Sequence, residues 1–518
     1  MTMLMLTHAA LLFTTHPVFA LAFSPNFCPP TSSSRLVPTS SYSRQRVLHS
    51  SSTVLFSGKG FGKPAASTAS SAIATSNSAR DDALKSLLEW SAKNSISRGK
   101  GVTVSPSSKN VGGGVGVRIN RKTKAGSEVM RIPYNMILSS RELQLDLSEE
   151  ASDVVLNSLK EDGLDTYASE FFLMLRVLEV YVAHKTGIED ADEYDDFGPW
   201  LESLPTTFDM GIYFDSTERS YLPQLAAKLL DLQERQLAAF RKAFSALVDQ
   251  EERYQVLTSS DKDDIVKWAF SIVFSRSWRS PSNPDDARIV PIADCFNHGD
   301  SANVIVEEPE GAYGPTEVLL KSDVDKDTEL LLSYGPGYDP SRFLVIFGFF
   351  DETVEEVFCG VAINGPSDEQ IELGCTDRSK MIYRSDGAIA NSVWDTVLYT
   401  TLSQVPEEQQ LFFEAYKSGD AEQFQALHRK YRLEVAAALR NHAEQVLATE
   451  YRVPSDKELA SINIKEHRRL NMILRHNRFM RRVFETVKAR LEQIISMEVD
   501  KRRKLMQEEE EEDASSDS

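Results

Sequence analysis

The chain has 518 residues, 41% of them hydrophobic and 9% aromatic, enough apolar content for two or three domains with buried cores. Its formal net charge of −20 speaks against nucleic-acid binding, which needs clustered Lys and Arg against phosphate, and leaves an exterior better suited to basic substrates. The charge is uneven: residues 1–80 contain no Asp or Glu, and beyond them 51 basic residues face 77 acidic ones, a net charge near −26.

The acid-free start divides in two. MTMLMLTHAALLFTTHPVFALAFSPNF carries an apolar run ending in small residues at Ala20 and Ala22, the pattern of a signal peptide over 1–23; His8 and His16 break it as a membrane span. Residues 24–80 are rich in Ser and basic, the composition of a transit peptide without fixed structure. Signal and transit segments in tandem, with Phe23 after Ala22, resemble the bipartite presequence of proteins sent to the stroma of a complex plastid. The alternatives are a secreted protein with a Ser-rich linker or a cytoplasmic one. Cys28 lies in the presequence and Cys295, Cys359 and Cys375 form no even framework, so a reduced compartment is expected.

From Ala83, LKSLLEWSAKN has the spacing of a short amphipathic helix. GVTVSPSSKNVGGGVGVRINRKTKAGSEVMRIPYNMILSS then alternates apolar and polar residues between Gly and Pro, which predicts several short strands. Between residues 165 and 275 the period becomes helical, as in Leu225, Leu229, Leu232, Leu237, Phe240, Phe244 and Leu247. Strand signals return in RIVPIAD, ANVIVEE, TEVLLKS and TELLLSYG, so a helical block interrupts a β region. FCGVAINGPSDEQIELG offers two more strands, after which the chain reads as helical to Leu505. In the last helix Leu470, Ile473, Met480, Phe484, Val487, Leu491 and Ile494 form one apolar stripe with Asn477 as its polar exception, a pattern of core packing rather than of a coiled coil. QEEEEEDASSDS reads as a solvated, disordered acidic tail over 506–518.

VPIADCFNHGD, residues 290–300, gathers most of the chemistry-bearing residue types. Zinc held by Asp294, Cys295 and His298 would need further ligands at recognisable spacing, such as a second CxxC or HxxxH pair, and the sequence offers none. Cys295 as a nucleophile with His298 as its base would have no preset geometry three residues apart in an irregular turn. The reading best supported is a strand that ends in an Asn-His turn whose polar groups fix a ligand.

WAFSIVFSRSW, RIVPIADCFNHGD and ELLLSYGPGYDPSRFLVIFGFFDE, in that order, resemble the C-terminal half of a SET domain. The likeness is to the plant-type branch that includes the Rubisco large-subunit lysine methyltransferase and the actin-histidine methyltransferase. GGGVGVRINRKTKAGSEVMRIP resembles the N-terminal half of that domain. The resemblance implies an α+β fold: a β-rich SET domain of short strands over 81–352, with a helical insertion at about 150–268, and an all-helical substrate-binding domain over 353–505. It implies S-adenosyl-L-methionine as cofactor, Tyr334 as the catalytic residue, and cofactor-binding roles for Gly113, Gly114, Val115, Arg118, Arg276, Asp294, Asn297 and His298, with no metal. Arg118 and Arg276 fall where the family clamps the methionine carboxylate, a task suited to guanidinium. The implied activity is methyl transfer to a lysine of a folded, non-histone plastid protein by a monomer that binds neither nucleic acid nor membrane. Histidine methylation, or an inactive SET-like scaffold that binds a protein partner, are the alternatives. No Cys-rich cluster follows the domain, unlike ordinary histone methyltransferases. Pro336, Pro340, Ser341 and Arg342 depart from the family's usual loop after Tyr334.

Overall fold

A computed structural model of the chain describes residues 69–106, 114–186, 197–257, 262–335, 339–358, 367–373 and 382–516. The expected presequence therefore lies outside the described residues up to residue 68, and a helix, α1 (Ala69–Lys93), already begins within its last stretch. No helix among the described residues is long and apolar enough to cross a membrane.

The β region opens with β1 (Ser97–Arg98), β2 (Val102–Pro106), β3 (Val115–Ile119), β4 (Glu128–Ile132) and β5 (Leu138–Ser139). The helical block follows: α2 (Ser140–Asp146), α3 (Glu149–Glu161), α4 (Ala168–Thr186), α5 (Gly198–Ser203), α6 (Ser216–Arg219), α7 (Gln224–Val248) and α8 (Lys262–Arg276). It starts before the expected residue 150 because Ser139 and Ser148 accept hydrogen bonds from the first free N–H groups of α2 and α3. The β region then resumes with β6 (Trp278–Ser280), β7 (Asn283–Ile289), β8 (Asn297–His298), β9 (Val304–Glu307), β10 (Thr316–Leu320) and β11 (Thr328–Leu332).

These strands form three small sheets ordered β1-β4-β10-β9, β2-β3-β11-β8 and β5-β7-β6. Each of the three joins strands from both sides of the insertion, so the two halves of the β region complete one another. Alternation sets the inward faces: Val102 and Val104 of β2, and Thr316, Val318 and Leu320 of β10, are buried. The strand expected at RIVPIAD lies earlier, at Asn283–Ile289. Pro291 has no N–H for a ladder, and Ile292 takes φ 71°, so the chain leaves the sheet there. Arg288, 1% exposed, anchors β7 through Asp286 and Glu308, each at 2.6 Å. Asp286 in turn accepts from Ser139 and Ser140, which fixes the start of α2 against the sheet.

After α9 (Pro340–Ile346) come β12 (Glu356–Phe358), α10 (Asp368–Glu372) and β13 (Ile382–Arg384). Of FCGVAINGPSDEQIELG, expected to offer two strands, residues 359–366 lie outside the described residues, Phe358 ends β12, and Asp368–Glu372 forms a helix that a Ser367–Gln370 capping box nucleates. The rest is helical: α11 (Asn391–Thr401), α12 (Pro406–Ser418), α13 (Ala421–Lys430), α14 (Arg432–Thr449), α15 (Asp456–Ser461) and α16 (Leu470–Ser516). The last helix runs past Leu505 through the run of glutamates expected to be disordered, since Glu is a good helix former and no Gly or Pro interrupts it.

Two hydrophobic cores result. The first joins α1, the sheets and the insertion; the second gathers β12, β13 and the C-terminal helices. Helix α16 enters both, with Leu470, Ile473 and Leu474 in the first and Met480, Phe484, Val487 and Leu491 in the second. Asn477, between them and fully buried, donates to the carbonyls of Tyr221 (2.7 Å) and Arg452 (2.8 Å).

Candidate functional site

The turn at residues 290–300 and the end of β11 meet at the seam between the two cores. Residues Asn297 and His298 lie parallel to Leu331 and Leu332, so the segment carrying them runs beside the strand that delivers Tyr334. Gly299 permits this approach: a β-carbon there would stand 2.6 Å from the Leu331 side chain. Ile292, fully buried at φ 71° and ψ −44°, holds a strained backbone that turns the chain into the short 3-10 turn Ala293–Cys295.

Each polar side chain of the turn has a defined task. The Asn297 amide donates both protons, to Glu329 Oε1 (2.9 Å) and the Val115 carbonyl (3.3 Å), so its own oxygen remains as an acceptor. The His298 ring, 3% exposed, accepts the Tyr334 backbone N–H on Nδ1 (3.1 Å), leaving Nε2–H for Asp300 Oδ1 (3.3 Å). The imidazole is thus a brace for Tyr334. Aromatic rings enclose it: Phe343 at 4.5 Å, Tyr334 at 5.5 Å and Phe349 at 6.2 Å between centroids.

The Tyr334 hydroxyl donates to the Phe296 carbonyl, leaving the oxygen's lone pairs as acceptors. Burial pushes this phenol well above its ordinary range; Arg276 opposes the shift, and Asp294 and Cys295 add to it. Tyr334 is therefore a neutral hydroxyl at physiological pH and not a base. Gly335 follows at φ 122°, a conformation open to glycine, and turns the chain away.

Arg276, at the end of α8, places Nη1 3.1 Å from both the backbone oxygen and Oδ2 of Asp294. Trp200 of α5 donates to the same carboxylate oxygen at 3.1 Å. Asp294 is consequently held by α5 and α8, turned to Trp200 and Arg276. Arg276 Nε is buried and has no hydrogen-bond partner among the described residues. Burial, with Asp294 beside it, raises the Cys295 thiol far above its ordinary range, so the residue is no thiolate nucleophile. Among the described residues no cluster of three His, Cys, Asp or Glu is arranged for a metal ion.

The structure brings Val115, Arg276, Asp294, Asn297, His298 and Tyr334 into this one neighbourhood. Gly114 directly precedes β3, and Gly113 lies outside the described residues. Arg118 stands across from Glu329 in the β3–β11 register, with Nη2 on the Asp327 carbonyl at 3.0 Å. Sequence reasoning missed Glu329, Asp300, Trp200 and the Phe343–Phe347–Phe349 cluster, and it missed Asn303, whose side chain pairs with Leu331 N (2.8 Å) and Glu329 O (3.0 Å) as a strand would. Only the phenylalanines left a signal, as the aromatic run in RFLVIFGFF.

Neither a protein-family model nor a curated protein sequence matches the chain. Among solved structures it is similar to Rubisco LSMT bound to AdoMet, at a TM-score of 0.52 and 14% identity over 80% of this chain and 92% of that one. It is also similar to the SET domain of LSMT bound to MeLysine and AdoHcy, at a TM-score of 0.51 and 14% identity over the same shares. A likeness at this identity is one of fold, and the fold is that of a Rubisco-LSMT-like SET domain, α+β, carrying a helical insertion and a helical C-terminal region.

Proposed function

We propose that the chain is an S-adenosylmethionine-dependent protein methyltransferase whose acceptor is a lysine of a folded, non-histone protein of the plastid. The observation that carries the reading is the Asn297–His298 strand held parallel to the strand leading to Tyr334, with the Tyr334 hydroxyl fixed on the Phe296 carbonyl. Its support is a fold shared with structures that hold AdoMet, or AdoHcy and methyl-lysine. The plastid assignment rests on the presequence composition alone.

The residues present fit the cofactor. Its amino-acid end offers an ammonium and a carboxylate. Asn297 Oδ1 is left to accept from the first, and Arg276 Nε is a buried donor suited to the second. When bound, the sulfonium supplies a methyl group to be displaced in line by a neutral amine. Tyr334 is built to position that amine: its donor proton is committed to Phe296, so its oxygen accepts an amine N–H and aims the nitrogen lone pair. Neither Tyr334 nor His298, whose two ring nitrogens are both engaged, is placed to take the amine's proton. The amine must therefore arrive neutral or lose its proton to water.

A ligand that binds only the folded state at a hundred times its Kd stabilises by about 2.7 kcal/mol. S-adenosylhomocysteine should accordingly raise the melting temperature by several degrees; no shift would favour the inactive scaffold. Tyr334→Phe should keep that shift while methylation of a plastid extract with labelled cofactor falls by about a hundredfold. Acid hydrolysis of the labelled protein then separates methyl-lysine from methyl-histidine.

A further inference from the structure

Arg276 stands ready for a ligand carboxylate with a rival carboxylate already beside it. The Asp294 side chain, 1% exposed, meets the guanidinium through a single nitrogen: Nη1 donates to its Oδ2 and to its backbone oxygen, each at 3.1 Å. A guanidinium binds a carboxylate most strongly side-on, through two nitrogens. Asp294 turned that way would occupy the fork that an incoming carboxylate needs. What holds it short of that arrangement is Trp200, whose indole N–H donates to the same Oδ2 at 3.1 Å. Oδ1 meets only the weak Cys295 thiol donor, at 3.8 Å, which could not restrain the group by itself. Arg276 Nε, buried, is left without a hydrogen-bond partner among the described residues.

The indole is itself fixed by packing. Trp200 is fully buried; its ring meets Phe197 edge-on at 6.2 Å between centroids, and Phe197 meets Trp90 of α1 at 5.7 Å. Its chemistry suits the place. An indole carries one donor and no acceptor, so it binds Asp294 without drawing on Arg276, whereas a cation there would repel the guanidinium and an acid would be a second rival for it.

We propose that Trp200 is a positioning residue for the cofactor's carboxylate: by holding Asp294 Oδ2 against Nη1, it keeps the remaining donors of Arg276 open to the amino-acid end of S-adenosylmethionine. The proposal rests on the cofactor reading above and adds to it the residue that prepares the clamp. Asp294 then acts as a strut that orients Arg276 before the ligand arrives, and the ordering is done in advance.

The test is calorimetric titration of the full chain with S-adenosylhomocysteine and with methylthioadenosine, which shares the nucleoside and the thioether but lacks the amino-acid end. Trp200→Phe keeps most of the ring and removes the N–H; it should weaken S-adenosylhomocysteine about tenfold and leave methylthioadenosine unchanged. Phe244→Leu, fully buried in α7, should lower the melting temperature yet keep the ratio of the two affinities, which separates positioning from a general loss of packing. In an Arg276→Lys background Trp200→Phe should cost S-adenosylhomocysteine nothing further, because its effect passes through the guanidinium. Equal weakening of both ligands by W200F, an unchanged affinity for S-adenosylhomocysteine, or full additivity with R276K overturns the proposal. Failure of the cofactor reading looks different: the wild-type chain itself would then bind no S-adenosylhomocysteine, and the proposal would fall with it.

Discussion

Asn297 shows how little of the site's logic a residue name carries. Its amide donates to one carboxylate and one carbonyl, so the two partners are both acceptors. Asn297→Asp would set a third oxygen pair against Glu329 and Val115 without a proton to share. Removing a hydrogen-bond partner from a buried group costs about 1–3 kcal/mol, and a like charge adds to it. The variant should lose thermal stability on that scale and fail to gain stability from S-adenosylhomocysteine, whereas Asn297→Gln, which keeps the donors, should lose less; equal melting of N297D and wild type would show that the Glu329 contact is dispensable. Asn297, His298 and Tyr334 were legible as residues because their order along the chain resembles a family pattern. Glu329 and Asp300 were not: an acid at the end of one strand and another in a turn have no periodicity to mark them, and their roles exist only once β11 lies beside β8.

At the scale of elements, the sequence pattern served best where one face is buried and worst where geometry is irregular. The stripe along α7 and α16 was visible because a 3.6-residue period has to place apolar residues on one side. The end of β7 was misread because Val290, Pro291 and Ile292 look like a strand while Ile292 takes a left-handed conformation that only the folded surroundings impose. The junction of α9 and α16 was invisible, although it fixes the wall of the site. Ser341 of α9, 2% exposed, meets His476 Nε2 of α16 at 3.2 Å, and His476 Nδ1 meets Asn477 at 3.1 Å. Burial lowers His476 from 6.5 to about 4, so it is neutral in the folded state while the unfolded chain takes up a proton below pH 6.5. Stability from this group is therefore complete above pH 6.5 and is lost as the pH falls toward 4. Between about pH 7.5 and 5 the loss is about 2 kcal/mol. His476→Gln should flatten the urea-unfolding free energy over that interval by this amount, leaving the share due to His442, which burial also lowers to about 4. An unchanged slope in H476Q would mean that the ring is reached by solvent.

For the whole molecule, the question is whether two cores make two independent units. The family resemblance places the division near residue 353, yet Phe343 of α9 already belongs to the second core, and the first turns of α16 belong to the first. Tyr334 packs on the second core although its strand belongs to the first. The seam that carries Tyr334 is thus built from both, and α16, one continuous helix packed in each core, ties them together. Such a chain should unfold as one unit. Met480, fully buried in the second core, tests this: Met480→Ala removes a large side chain at a cost of about 2–5 kcal/mol. If unfolding is cooperative across the seam, native-state hydrogen exchange in α4, whose buried side chains lie in the first core, should accelerate by the same free energy as exchange in α14. If α4 keeps its full protection while α14 loses its own, the two cores open separately, and α16 serves the site as a tether rather than as a common strut.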